Sequence, residues 1–336
     1  MNLSPQHAYY CADSTADRIK KSPRWDNEEG VAATVGTIMA LLVFLTFFGI
    51  FTNQFVPVWM SDNESTHMSQ AIQQFTTLKS SIDIAVSYNA NSRIAPSPVF
   101  VPITLSSAGI PVFAAGTAGI LYYTPTGGDT MPAFGVTYTY VTSGGGSIVL
   151  SPSTSTDAKS GGSLELYCPN RYFVEQHLVY ENGAVIMNQT DGEFVIAGPQ
   201  FQVKDVGTAG TPQLVVLMTQ IELQGSNVTI GGTGSKGVNA KLLYADTKEF
   251  SNDNGNTLTI TITSKHGWAW YRYFNDTLVS ALGMKNGTAF SLPYPVLHPQ
   301  SDKLLNYYTL TLSISNVTVL DYTKATVKMT IGELGI

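Results

Sequence analysis

The chain has 336 residues, of which 43% are hydrophobic and only 12% charged, and its formal net charge is −6. An acidic balance without any basic cluster excludes a nucleic-acid partner. Ser, Thr, Asn and Gly take the place of charge at the surface, as suits exposed strands and turns.

Residues 1–29 are polar, lack periodicity and are expected to be disordered or loosely apposed to a membrane. The run Val31–Phe51 then holds no charged residue, and its polar groups are Thr34, Thr37 and Thr46, whose hydroxyls can bond the helix backbone. At about 1.5 Å per residue it makes a helix of about 32 Å, enough to cross a hydrocarbon core of about 30 Å. Arg18, Lys20, Lys21 and Arg24 precede it and the next basic residue is Lys79, which puts the N-terminus in the cytoplasm and the large C-terminal part outside the cell membrane. A cleaved secretory signal is the competing reading. The run is long for one, however, and no small-residue cleavage site follows within Thr52–Met60. The helix is expected to extend toward the interfacial Trp59, and Pro57 to break or kink it.

From Ser61 to Val86 a second helix reads clearly. Met68, Ile72, Phe75, Leu78 and Ile82 form one apolar stripe, which needs its own β domain or a neighbouring subunit as partner. Strands follow at Val99–Leu105, Gly119–Tyr123, Gly135–Val141 and Ser147–Leu150. Ser151–Gly162 is a flexible loop by composition and a candidate division of the head. Asn182-Gly183 and Asp191-Gly192 mark hairpin turns that lead into Phe194–Ala197. Further strands are expected at Gln213–Leu223, Lys241–Tyr244, Thr257–Thr263, Tyr308–Ser313, Val317–Leu320 and Ala325–Ile331. His266–Met284 interrupts them as a helix, with Trp270, Phe274, Leu278 and Leu282 on one face and Gly283 at its end. The fold class is mainly β (α+β): a transmembrane helix (31–60) after a tail or leader (1–30), an amphipathic helix (61–88), and a β-sandwich-like extracellular head (89–336) with one packed helix.

Candidate chemistry is sparse. The aromatic cluster Trp268, Trp270, Tyr271, Tyr273 and Phe274 reads as the core face of a helix, with a sugar-stacking platform as the sharper alternative. No histidine or cysteine pair has zinc spacing, and no phosphate-binding, dinucleotide or Gly-x-Ser-x-Gly motif occurs, so no catalytic residue, cofactor or metal is expected. Asn252-Asp-Asn-Gly-Asn256 lacks the closing acid of a calcium loop and reads as a solvated turn. Cys11 and Cys168 fall on opposite sides of the expected membrane. Cys168 is therefore expected as a buried thiol, and a Cys168–His177 nucleophile pair lacks an oxyanion motif. Cys11 is a weak palmitoylation candidate. Sequons at Asn63, Asn188, Asn227, Asn275, Asn286 and Asn316 lie on the expected outside and give mild support for a glycoprotein.

Gly30-Val-Ala-Ala-Thr-Val-Gly-Thr-Ile-Met-Ala-Leu-Leu-Val43 resembles the start of archaeal type IV pilins and pilin-like proteins. In that family a Gly is followed by a Val-Ser-Pro-Val-Ile-Gly-like stretch, and Gly30, Val31, Val35, Gly36 and Thr37 fall on those positions. The chain departs from the pattern at Glu28-Glu29, where pilins carry Lys or Arg, and at Ala33, where they carry proline. The resemblance implies a leader cut by a prepilin peptidase between Gly30 and Val31. It implies helices that self-associate or bundle with other pilin-like subunits, with Ala32, Gly36 and Ala40 letting them approach. A structural or adhesive surface protein is the function expected. The alternatives are a permanently anchored component of a pilus, motility or secretion machine and, from another class, an anchored ectoenzyme or ligand-binding receptor. A buried polar cluster with displaced pKa values would favour the enzyme, and an exposed edge strand would favour assembly.

Overall fold

The computed structural model describes residues 27–92, 94, 96–126, 133–140, 146–151, 160–208, 213–283, 289–299 and 306–333. The tail, Cys11, most of Ser151–Gly162 and Asn286 lie outside these. The chain divides into two compact units, one ending at Asn53 and one beginning at Gln54.

In the first unit, helix α1 (Asn27–Ile50) is apolar on every side from Gly30 onward, and none of that hydrophobic stretch is buried within the chain. The threonine hydroxyls return to the backbone as the sequence requires: Thr34 to Gly30 O, Thr37 to Thr34 O (2.8 Å) and Thr46 to Leu42 O (2.8 Å). A π-helical turn, Phe51–Phe55, comes next in the sequence, and Pro57 does not end the helical run. A π turn spaces its hydrogen bonds more widely, relieving the clash between a proline ring and the carbonyl four residues back. Thr52 Oγ1 donates to Phe48 O (2.9 Å) and Asn53 Nδ2 to Gly49 O (2.8 Å), so carbonyls loosened by the wider turn keep partners.

The second unit opens with helix α2 (Val56–Ser92), longer at both ends than expected. Met68, Phe75, Leu78 and Ile82 are buried in a core built from this unit's own strands. The head is thus the partner that the stripe needed. Burial of each such side chain is worth about 1.5–3 kcal/mol.

Strands β1 (Val99–Thr104), β2 (Gly119–Thr124), β3 (Ala133–Tyr140), β4 (Gly146–Ser151), β5 (Ser160–Gly161) and β6 (Ser163–Cys168) come first. Then follow β7 (Gln176–Glu181), β8 (Ala184–Gln189), β9 (Gly192–Ala197), β10 (Phe201–Asp205), β11 (Leu214–Gln224) and β12 (Val228–Gly232). Strand β13 (Ser235–Ser264), helix α3 (Gly267–Leu282), β14 (Phe290–Ser291), β15 (Val296–Pro299) and β16 (Asn306–Glu333) complete the unit. One sheet runs β10-β11-β16-β13-β3-β4, with β1, β5, β14 and β15 as side branches; the other runs β12-β2-β6-β7-β8-β9. The protein is mainly β, with one long apolar helix near its N-terminus.

The expected strands Lys241–Tyr244 and Thr257–Thr263 are parts of the single 30-residue β13, and the three terminal ones are parts of β16. These two pair antiparallel from Lys236↔Glu333 to Ser264↔Tyr308. Asn252–Asn256 falls at a register shift inside β13, between the pairs Ser251↔Val319 and Asn256↔Val317, rather than between two separate strands. Asn256 is buried there, with Nδ2 donating to Tyr138 Oη (2.7 Å) and Val317 O (3.1 Å). The bulge absorbs the residues that read as a turn. Asn182 and Gly183 turn the β7–β8 hairpin with φ of 45° and 75°, as a two-residue loop of the primed type requires.

Two apolar cores result. One joins α2, β1, β2, β6 and the near halves of β13 and β16. The other lies under α3, against the far halves of β13 and β16 and against β3, β10 and β11.

Candidate functional site

Within its own unit, α1 offers an uncovered apolar surface: Val43 is 70% exposed, Phe47 67% and Met39 62%. Gly30 and Val31 sit inside the helix rather than at its start, because α1 begins at Asn27. Ala32, Gly36 and Ala40 recur at four-residue steps and so share one face, and the space beside Gly36 is open. The helix is long and apolar enough to cross a membrane.

The head contains two buried carboxylate nodes that the sequence reading did not find. In the first, Glu64 of α2 is fully buried. It accepts from three successive backbone amides, Arg171 (3.1 Å), Tyr172 (2.8 Å) and Phe173 (2.7 Å), and from the Thr117 hydroxyl. Burial pushes its pKa up, but these four donors outweigh it and hold the carboxyl below the usual value. His67, one turn on, donates to Thr104 O (2.9 Å), and burial lowers its pKa. Asn63 Nδ2 donates to Ala108 O (3.1 Å). The start of α2 is thereby fastened to the segments 105–118 and 169–175.

The second node lies under α3. His266 precedes this helix without making a side-chain cap. Glu193 of β9 supplies the missing acceptor: Oε1 takes the amides of Trp268 (2.7 Å) and Ala269 (3.0 Å), and Oε2 faces His266 Nδ1 (3.2 Å). Glu181 of β7 accepts from Ser264 Oγ (2.7 Å) and Trp270 Nε1. Burial would lower the His266 pKa, but its bond to Glu193 and the charges of Glu181, Glu193 and Glu165 raise it. Burial raises Glu181. The Ser264 hydroxyl donates to a carboxylate and not to an imidazole, so serine and histidine do not form a nucleophile–base pair. The bonds of Trp268, Ala269 and Trp270 hold α3 to the sheet, and that of Ser264 to Glu181 ties β13 to β7.

Trp270 and Phe274 are core residues, stacked at 5.7 Å, as the core-face reading requires. Trp268, Tyr271 and Tyr294 form a partly exposed aromatic group beside them, with ring centroids 5.2–5.9 Å apart. Cys168 is a free, buried thiol, and burial raises its pKa to about 12. It is not paired with His177. Across β6–β7, Tyr167 stands opposite His177 and Cys168 opposite Gln176, so the two side chains take opposite faces. His177 stacks on Tyr167 at 4.5 Å and donates to Glu165 (2.7 Å). Among the described residues no group of His, Cys, Asp or Glu could hold a metal ion.

Of the sequon asparagines, Asn227 and Asn316 are exposed, while Asn63, Asn188 and Asn275 are half-buried in α2, β8 and α3. A cleft of about 550 Å³ lies where α2 ends over β10, β11 and β16; Ser87, Gln200, Gln202, Thr219, Thr247, Asp321 and Thr323 are its polar lining. Comparison with protein-family models, with curated proteins and with solved structures finds no match for this chain.

Proposed function

We propose that this chain is a non-enzymatic, pilin-like archaeal surface protein, anchored in the cell membrane by α1, with its β head outside. The observation that carries this reading is the uncovered apolar surface of α1: a helix hydrophobic all round needs lipid or other helices against it. Helices of this kind associate through close packing, and Ala32, Gly36 and Ala40 form a suitable small-residue face. Pilin-like subunits of the same or another kind are the partners, and a prepilin peptidase acts between Gly30 and Val31. The head serves adhesion or structure, with glycans on exposed sequons such as Asn227 and Asn316. The two buried carboxylate nodes are polar clusters of the kind that would favour the ectoenzyme alternative. Their named bonds run to backbone amides, a hydroxyl and an indole of the fold itself, and the non-enzymatic reading is kept on the apolar surface of α1.

Mass spectrometry of the mature N-terminus, on protein from native cells, tests the reading. A start at Val31 is expected for a processed filament subunit. An intact tail removes the filament subunit and leaves a permanently anchored envelope component.

A further inference from the structure

We infer that the turn Ile110–Ala114 is a lipid-contacting tip, by which the head touches the interfacial zone of the bilayer that holds α1. The inference rests on the anchor reading above.

The tip's chemistry is that of an interface. Leu105–Thr124 contains no charged residue, and the turn itself reads Ile-Pro-Val-Phe-Ala. Ile110 and Ala114 close it with paired backbone bonds, and Phe113 N donates to Ile110 O (3.1 Å). Pro111 therefore occupies the second turn position and Val112 the third, with φ of +72°. That is the pattern of a type II turn, whose third position suits glycine or asparagine. A β-branched residue with positive φ is strained, and this one is fully exposed. The chain thus holds an apolar, branched side chain out into its surroundings, at a position where its own fold would favour another residue.

Its placement on α2 supplies the second argument. The chain leaving α2 retraces the helix backwards. Asn89 bonds Ile94, Gln74 and His67 bond Thr104, and Asn63 bonds Ala108. Four more residues at about 3.3 Å each carry the tip at most about 13 Å further, the rise of about nine helical residues. Val112 thereby reaches toward the level of Gln54 and Phe55, the residues that immediately precede α2. Phe55 just before α2, and Val58 and Trp59 in its first turn, are exposed. Tyr172 and Val174 are exposed on the neighbouring segment that Glu64 grips, beside Arg171. Aromatic side chains and a cation at one level are what a headgroup region accepts. The Glu64 node fixes both segments to α2, so the tip is presented rigidly rather than on a free loop.

The test uses the full chain with Cys11→Ser, reconstituted in vesicles of phosphatidylcholine and phosphatidylglycerol. A nitroxide is attached in turn at Leu42→Cys, Val112→Cys and Asn316→Cys, and collision rates with oxygen and with a water-soluble nickel complex are compared. Leu42 lies in α1, and Asn316 is exposed on the far part of β16. The expected result is oxygen access with nickel exclusion at 42 and 112, and the reverse at 316. Nickel access at 112 with lipid exposure at 42 overturns this inference and leaves the anchor standing. Exclusion of both reagents at 112 means contact with another subunit and also overturns it. Nickel access at 42 overturns the anchor itself, and the inference with it.

Discussion

Glu64 on α2 and Glu181 on β7 are both closed off from water, yet the fold moves their pKa values in opposite directions. Burial raises each. Glu64 meets three backbone amides and a hydroxyl, and their combined pull keeps it ionised. Glu181 meets one hydroxyl and one indole N–H, with Glu193 nearby as a like charge, and burial wins. The balance of donors against burial decides whether a buried acid keeps its charge, and burial weighs more heavily on Glu181 than on Glu64. The two nodes also differ in what they hold. The first ties distant segments to α2; the second caps and seats α3.

The largest effect is expected at the first node. Glu64→Ala leaves three successive amides and a hydroxyl without their acceptor, at a cost of about 3 kcal/mol, read as a lowered midpoint in urea unfolding of the full chain. The pH dependence has a definite sign. A carboxyl whose folded pKa is depressed stabilises above its unfolded value of about 4.3, and that stability is lost as pH falls through the folded value. Wild type is therefore expected to weaken in acid, and Glu64→Ala to flatten that acid limb. An unchanged limb would show that the four donors do not act on an ionised group.

At the second node the expected loss is smaller, because Glu193 caps one helix rather than joining separate segments. Glu193→Ala frees the amides of Trp268 and Ala269 and removes the partner of His266, for about 2 kcal/mol. Hydrogen exchange should quicken first at the start of α3. The sign here is opposite. A histidine with a raised folded pKa stabilises fully below its unfolded value of about 6.5, and that stability is lost as pH rises through the folded value. Glu193→Ala should flatten the alkaline side of the stability profile. Comparing the two variants' profiles separates the nodes more sharply than either midpoint.

Half of each node was legible in the sequence. Glu64, Met68, Phe75, Leu78 and Ile82 keep one phase, so the stripe itself puts a carboxylate on the core face and calls for donors. Those donors are backbone amides more than a hundred residues away, which carry no side-chain signature. His266 is a poor cap before a well-patterned helix, which signals an acceptor supplied from elsewhere, but nothing marks Glu193 as that acceptor. The alternation Thr-Leu-Thr-Ile-Thr-Ile-Thr reads directly as the half-buried far end of β13. Its union with Lys241–Tyr244 does not, because Asn-Gly is a turn signal that a bulge has absorbed. Pro57 misleads for a similar reason: the π turn before it makes room that a local rule does not foresee.

Glu181→Gln is the smallest expected effect and the cleanest test of the comparison. The amide oxygen can still accept from Ser264 and Trp270, so both bonds survive while the buried charge is removed. An acid whose folded pKa is raised costs stability as pH climbs from its unfolded value toward the folded one, and glutamine has no such slope. At acidic pH, where the wild type's Glu181 is protonated both folded and unfolded, the variant should match wild type within about 0.5 kcal/mol, and near neutrality it should equal or exceed it. His266 loses one of its three carboxylate neighbours, so its pKa should fall, readable by imidazole NMR titration. A neutral-pH loss as large as that of Glu193→Ala would mean that Glu181 is held ionised as Glu64 is, and the contrast between the nodes would collapse.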